Sequence, residues 1–501
     1  MAWRHLRRTV QVVAFVAFLL AVVYTLRDGP SLWRADILLR LDPLAGLSSA
    51  LAGRRWPLLF WPAGVLLLAT LFLGRFWCGW LCPLGTLLDW TSLPLKKDRL
   101  QGPFWRRFKY GVLFLVLGTA LWGSLALLIF DPLTIFVRSV STLLLPGMNW
   151  AITQVEVALY RVPFFEGIVD RLDSILRGPL LTYKQPSYEG ALFLAAFVGG
   201  VLALNLLAQR AWCRYFCPLG AFLALVSKVS WLKRTVLAER CSSCNLCSQK
   251  CPVGAIDSQR GYANDGAECI LCMDCLDRCP SSAISFRGHW RLDWGWPHDP
   301  TRRQVIGGLL GGLGLVVLAN VAPKAQRPVP YLLRPPGTKE EELLRRCLRC
   351  GACVRICPTH GLQPSLAEAG WDGLWTPVLV PRLGNCEYSC VACGEACPTG
   401  AIPQLTLETK WRRPIGKAYI NRTLCIAWSG RGDCIVCEEV CPLPEKAVVL
   451  EKRSFSQPGQ EPRVLQVPVV LHERCVGCGL CENKCPVHGE AAIRVILDPL
   501  S

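Results

Sequence analysis

Twenty-four of the 28 cysteines in this chain fall into six runs that all end C-x2-C-x3-C-P, so its fold must bring those sulfurs together. Three closely spaced thiolates wrap three corners of an iron–sulfur cube, and the last cysteine of such a run reaches the neighbouring cube. Four runs keep the C-x2-C-x2-C-x3-C-P spacing of bacterial two-cluster ferredoxins. They are Cys241, Cys244, Cys247 and Cys251; Cys269, Cys272, Cys275 and Cys279; Cys347, Cys350, Cys353 and Cys357; and Cys475, Cys478, Cys481 and Cys485. Two runs lengthen the first gap: Cys386, Cys390, Cys393 and Cys397 have three residues there, and Cys425, Cys434, Cys437 and Cys441 have eight. Zinc is the rival for paired C-x2-C motifs, but it needs neither a third cysteine nor the Cys-Pro. Disulfides are the rival for the last four runs, and the repeated ligand spacing argues against them.

Six runs imply six [4Fe–4S] clusters. In the first pair, exchange of the last cysteines assigns Cys279 to Cys241, Cys244 and Cys247, and Cys251 to Cys269, Cys272 and Cys275. Each Cys-Pro of that pair leads into a short strand signal, "VGAID" and "SSAIS".

The remaining four cysteines sit in a duplicated motif, "RFWCGWLCPLGTLL" (75–88) and "RAWCRYFCPLGAFL" (210–223). Each follows an apolar run that enters from the same side, so a pseudo-two-fold axis along the membrane normal is expected. Three roles stand open for Cys78, Cys82, Cys213 and Cys217: a shared cofactor site, redox thiols, or small buried packing residues. The long apolar runs carry no acid or histidine, so a proton acceptor must lie near a membrane interface, and Asp89, just after the first motif, is the candidate.

The chain is 52% hydrophobic with mean hydropathy +0.32, which fits a membrane part joined to soluble parts. Five apolar runs are expected to span: Val10–Leu26, Pro57–Gly74, Tyr110–Phe130, Gly190–Gln209 and Gln304–Val321. The first lacks a small-residue cleavage site and reads as an anchor. Basic residues set the orientation. "MAWRHLRR", residues 75–109 and residues 210–303 are rich in Lys and Arg and read as cytoplasmic, whereas 131–189 reads as outside. The fifth run, opened by Arg302 and Arg303, then carries the chain outward. "TRRQVI" also resembles a twin-arginine export signal, which serves proteins that fold around cofactors before export. Gly307/Gly311 and Gly308/Gly312 form two small-xxx-small pairs for close helix packing. Trp290, Trp294 and Trp296 read as interfacial anchors, and "LANVAPKA" offers no clear cleavage site.

The net charge of +18 is met by these flanking residues, and no motif points to nucleic acid. No C-x-x-C-H occurs, which excludes c-type haem attachment. The six histidines (5, 289, 298, 360, 472 and 488) lie outside the expected spans, which argues against a bis-histidine haem. No G-x-G-x-x-G opens a strand–helix unit, so no nicotinamide or flavin domain is expected.

With these residues in hand, the chain resembles two ferredoxin-type proteins of periplasmic nitrate respiration joined end to end. Residues 1–295 are similar to NapH, with membrane helices, two C-x3-C-P motifs and a pair of cluster runs. Residues 300–501 are similar to NapG and the related MauM, with a twin-arginine signal and four runs. The resemblance implies a membrane helical bundle plus α+β bacterial ferredoxin-like [4Fe–4S] domains. Its parts are a transmembrane domain (1–235), a cytoplasmic two-cluster domain (236–290), a transmembrane helix (300–322) and a periplasmic four-cluster domain (340–501). It implies an inner-membrane electron-transfer component of a quinol dehydrogenase, taking electrons from the menaquinol pool to a periplasmic reductase or cytochrome. Resemblance to four-cluster ferredoxin subunits further implies nested ligation, with the first and fourth outer runs exchanging cysteines, as do the second and third. Two alternatives remain: a redox maturation factor of the MauN or NosR kind, and a relay from a cytoplasmic ferredoxin.

Overall fold

The computed structural model describes residues 2–25, 34–54, 58–92, 102–177, 181–182, 184–290, 292, 295–321, 331–366, 368–455 and 463–497. Trp294, the "APKA" end of the cleavage segment and Lys96, Lys97 and Arg99 of the basic loop lie outside them.

Among the described residues, three helices are long and apolar enough to cross a membrane: Trp3–Val23, Pro132–Leu159 and Arg302–Ala319. The first and last match expected runs. The second and fourth expected runs form shorter apolar helices, Trp61–Leu73 and Ala191–Ala203. The third forms Pro103–Leu121, which begins among Arg106, Arg107 and Lys109 and ends at the left-handed Gly123. Pro132–Leu159 was not expected. Arg138, Pro146, Gly147 and Asn149 dilute its hydropathy, and a π-turn at Val140–Leu144 absorbs the irregularity while the helix continues.

These helices stand between two cysteine-rich domains. Helix Ala2–Val23 starts at the first domain, where Arg7 pairs with Asp274 (3.4 Å), and ends at the second, where Arg355 donates to the Val23 carbonyl (2.9 Å). At 1.5 Å per residue those anchors lie about 24 Å apart along the axis. Helix Arg302–Val321 runs parallel to Pro103–Leu121. A Cβ on Gly308 would lie 2.6 Å from Phe114, and one on Gly312 would lie 2.6 Å from the Gly118 backbone. The other expected pair is only half engaged, since Gly311 meets the Leu115 side chain (3.1 Å) and Gly307 has nothing within 4 Å.

The internal repeat is longer than the cysteine motif. Asp42-Pro43-Leu44 follows the α-helix Ala35–Arg40, and Asp131-Pro132-Leu133 follows the 3-10 helix Ala126–Phe130. Asp42 caps Leu44 (2.8 Å) and Ala45 (3.1 Å), and Asp131 caps Leu133 and Thr134 (3.0 Å each). The two buried carboxyls meet across the repeat.

In the first cysteine domain, strand Leu232–Val236 pairs antiparallel with Ile284–Gly288, and Ile256–Asp257 with Ala263–Asn264. The two short strand signals are realised there. The second domain repeats this closure with Lys417–Ile420 against Ile493–Ile496, and adds Leu362–Pro364 against Pro377–Leu379 and a hairpin of Val448–Phe455 with Arg463–Val470. Pairing the first strand with the last brings a run's three leading cysteines onto the last cysteine of its neighbour.

Candidate electron-transfer sites

The C-x2-C-x2-C spacing has a backbone cause. In all four standard runs the residues on both sides of the second cysteine are left-handed: Ser243 and Asn245, Leu271 and Met273, Arg349 and Gly351, Gly477 and Gly479. That pair of reversals coils the chain, and a short helix starts immediately afterwards. The two runs with longer first gaps have no such need. Val391 and Ile435, after their second cysteines, keep negative φ (−127° and −109°).

Cysteines of neighbouring runs gather in fours. Cys241, Cys244, Cys247 and Cys279 line one cavity, and Cys251 lies with Cys269, Cys272 and Cys275, as expected. In the second domain the arrangement departs from the nested expectation. Cys397 joins Cys347, Cys350 and Cys353, and Cys357 joins Cys386, Cys390 and Cys393. Likewise Cys485 joins Cys425, Cys434 and Cys437, and Cys441 lies near Cys478, which itself lies with Cys475 and Cys481. Adjacent runs exchange because each pair is closed by its own local strands, and local closure costs less loop entropy than nesting distant runs.

The quartets form a line. Cys353 and Cys393, Cys478 and Cys386, and Cys481 and Cys437 are close enough for their charges to interact, and the Cys386 N–H donates to the Cys478 carbonyl (2.8 Å). The second domain therefore runs from the Cys347 quartet through those of Cys386 and Cys475 to that of Cys425. In the first domain Cys275 and Cys247 connect the two quartets in the same way.

The quartets fit iron–sulfur cubes better than single ions. Four sulfurs around one zinc at about 2.3 Å would lie roughly 3.8 Å apart. Among the described residues only Asp265, Glu268 and His298 bring three ligand atoms within 4.8 Å of one another. That group is an ion-pair network: Glu268 accepts from Lys109 (2.5 Å) and Arg75 (3.1 Å), and His298 bonds to Asp265. The terminal cysteines receive backbone N–H bonds, from Ala255 to Cys251 (3.3 Å), Ala283 to Cys279 (3.3 Å), Ile402 to Cys397 (3.4 Å) and Ala447 to Cys441 (3.4 Å). Such bonds favour sulfur carrying negative charge. Burial pushes the thiols of Cys350 and Cys478 up to about 12, a proton that a bound metal would displace.

The duplicated motifs converge. Cys78, Cys82, Cys213 and Cys217 are all buried and lie within reach of one another's charge. Cys82 and Cys217 cap the helices that follow them, accepting from Gly85 (3.4 Å) and Gly220 (3.2 Å). The two buried arginines cross over. Arg210 of the second repeat reaches the Cys78 carbonyl (2.9 Å), while Arg75 of the first approaches Gly220 of the second. Asp89 is held by Arg210 (2.5 Å) and Gln11 (2.8 Å), so it is committed to an ion pair and is not a free proton acceptor. Sequence reasoning singled out these cysteines but missed the arginines, whose only signal was the shared R-x-W-C opening.

Both cysteine domains touch this centre's surroundings. The Trp80 indole donates to the Leu271 carbonyl (2.9 Å), beside Cys272. On the opposite side Arg138 donates to the Arg349 carbonyl (3.2 Å) and lies 3.8 Å from the Trp375 ring, which lines the Cys347 cavity. A cavity of about 680 Å³ opens where Ala52, Arg54 and Trp122 face the helix Glu340–Arg346 that leads into Cys347. Trp290 packs on Phe72 (6.0 Å), and Trp296 on His298 (6.1 Å).

Comparison with known proteins agrees with the cysteine pattern. Models described as "4Fe-4S binding domain" match residues 55–112 with 190–236, and 235–257 with 468–488; a "4Fe-4S dicluster domain" model matches 261–358. The methylamine utilization ferredoxin-type protein MauM of Methylorubrum extorquens is 35% identical over 210 residues, 40% of this chain and 90% of that protein. The ferredoxin-type protein NapG of Escherichia coli is 33% identical over 38% of this chain and 81% of its own length. Protein NirI of Paracoccus denitrificans is 31% identical over 46% of this chain but only 30% of its own. No solved structure matches.

Proposed function

The chain belongs to the MauM and NapG family of ferredoxin-type proteins, and from that premise we propose that it oxidises membrane quinol and delivers the electrons to a soluble reductase or cytochrome outside the cell membrane. Ferredoxin-type iron–sulfur electron transfer is the shared property; the quinol and the outer acceptor are this reading's own. The reading places the chain in the inner membrane as a multi-pass protein, with the Cys241–Cys279 domain cytoplasmic and residues 331–497 periplasmic.

The observation that carries it is the cavity beside Cys347. Its volume, about 680 Å³, lies in the usual range for a small-molecule site. Ala52, Leu121 and Trp122 offer an apolar entry at the helix ends, where a quinol ring arrives from the bilayer, and Arg54 and Arg345 offer donors for its oxygens. A quinol releases two protons with its two electrons. Glu341 stands at the same wall to take the protons, while Glu342 is paired with Arg346 (3.0 Å), and the Cys347 quartet begins one residue past the helix that carries them. [4Fe–4S] clusters held by the quartets supply one-electron carriers whose potentials follow hydrogen bonding, burial and local charge. Cys353 to Cys393, Cys386 to Cys478 and Cys481 to Cys437 then set the order of the outward path. The exposed hairpin of Val448–Phe455 and Arg463–Val470 lies beside the last quartet, where an acceptor docks.

Anaerobic addition of a reduced menaquinone analogue to the purified protein tests this. The reading expects bleaching of the cluster absorbance, slowed by Glu341→Gln and by Trp122→Ala. No bleaching with quinol, but bleaching with a low-potential cytosolic ferredoxin, replaces it with the inward-donor reading. Bleaching by neither, with loss of a partner enzyme's cofactor when the chain is deleted, replaces it with maturation.

A further inference from the structure

A cation taken out of water needs an anion beside it, and several of the buried cations in this chain have one. Arg75 and Lys109 share Glu268, Arg210 holds Asp89, and Arg334 holds Glu340. Arg138 and Lys410 do not. They are 0% and 6% exposed, and among the described residues neither has a carboxylate within ion-pair distance. We propose that Arg138 and Lys410 are the charge partners of the iron–sulfur clusters at the Cys347 and Cys386 quartets, and that they raise the potentials of these two centres. The reason for such tuning rests on the proposed function; the tuning itself rests only on the quartets holding clusters.

Arg138 belongs to the membrane helix Pro132–Leu159 and reaches into the Cys347 run. It donates to the carbonyls of Arg349 (3.2 Å) and Ile129 (3.3 Å), and its guanidinium lies 3.8 Å from the centre of the Trp375 ring. On the other flank of Cys350, a Cβ on Gly351 would lie 3.7 Å from the Arg138 backbone. The charge is thus held against the residues on both sides of Cys350 and is felt by that sulfur. The carboxyl that it reaches, Asp131, is taken up by the Leu133 and Thr134 N–H groups and by Asp42. Arg349, by contrast, has Asp372 (3.6 Å).

Lys410 plays the same part at the next quartet. It stands on the short helix Leu407–Trp411, which Trp411 fixes by stacking on Tyr388 (4.9 Å). Its ammonium donates to the carbonyls of Glu387, Tyr388 and Cys390 (2.7 Å), the stretch that makes the longer first gap of this run. Its charge reaches Cys386 and Cys393. Backbone carbonyls orient a cation without neutralising it, so in both places the uncompensated charge faces sulfur. A cube on four thiolates is negative, and reduction adds one electron to it with no bond made or broken. A cation nearby in a medium of low dielectric favours the reduced form. A quinol can reduce only centres of sufficiently high potential, and these two come first after its cavity.

A redox titration of the full chain with dithionite and mediators, followed by the paramagnetic signals of the reduced clusters, tests this. Signals perturbed by Cys397→Ser identify the Cys347 centre, and those perturbed by Cys357→Ser identify the Cys386 centre. Arg138→Gln should lower the midpoint of the first and Lys410→Gln that of the second. Each shift should be at least about tenfold in the reduction equilibrium, or about 59 mV for one electron. Arg138→Lys and Lys410→Arg keep the charge and should keep the midpoints near wild type. A clamp that only ties carbonyls together predicts unmoved midpoints in the glutamine variants, or equal shifts in the charge-keeping ones, and either result overturns the proposal. Where Arg138→Gln does not assemble, Lys410→Gln, on a helix outside the membrane, carries the same test. No quinol is used, so failure of quinol to bleach the protein leaves these midpoints untouched and the two readings fail separately.

Discussion

Adding one methyl group at Gly312 tests how the membrane helix is held. A Cβ there would fall 2.6 Å from both the Gly118 carbonyl carbon and the Thr119 nitrogen. These are backbone atoms and cannot rotate away, so Arg302–Val321 must move off Pro103–Leu121 by about 1 Å to restore ordinary contact. Overpacking of this kind costs about 1–3 kcal/mol. Alanine returns about 0.5–1 kcal/mol through helix propensity. Gly312→Ala should therefore lose up to about 2.5 kcal/mol. Gly314, two residues on, has nothing within 4 Å. Gly314→Ala should gain the propensity term alone, with opposite sign. The midpoints of SDS-induced unfolding of the two variants, measured on purified protein in mixed micelles, give the comparison. Shifts of equal sign and size would refute the close parallel packing of these helices.

Three other outcomes follow from the geometry. Glu268→Gln leaves Lys109 and Arg75 buried without their partner and should cost about 3–5 kcal/mol, partly restored by Lys109→Met in the same chain, measured as thermal inactivation. Burial, with Arg355 and Lys184 nearby, holds His360 down to about 4, so the folded state resists its protonation. Stability should be unaffected above about pH 6.5, fall as pH drops from there to about 4 by at most about 3 kcal/mol, and show a shallower fall in His360→Gln. Cys397→Ser should perturb the signals of the centre held by Cys347, Cys350 and Cys353, whereas nested ligation would place the effect at another run.

Much of the site was legible in the sequence because cluster ligation is written as spacing. The six runs, the exchange between Cys251 and Cys279, and the pairing of the two Cys-Pro-Leu-Gly motifs all needed only counting. The pattern of exchange in the second domain was not legible, since adjacent and nested pairing use the same spacings and only the strand closure at Leu362–Pro364 and Lys417–Ile420 separates them. Helix Pro132–Leu159 was hidden by Arg138 and Asn149, buried polar residues that hydropathy reads as loop but that tertiary partners satisfy. Of two glycine pairs equally good on paper, both members of Gly308/Gly312 press on Pro103–Leu121, whereas Gly311 meets only the Leu115 side chain and Gly307 meets nothing, a choice made by the rotation of one helix on another.

The central claim is that a quinol gives its electrons to the Cys347 quartet beside the cavity at Ala52, Arg54 and Trp122. Anaerobic stopped-flow mixing of the oxidised, purified protein with a reduced menaquinone analogue tests it. The account predicts that the cluster absorbance bleaches at a rate that rises with quinol concentration and falls in Glu341→Gln. No bleaching by the quinol, in protein that dithionite bleaches fully, would contradict it.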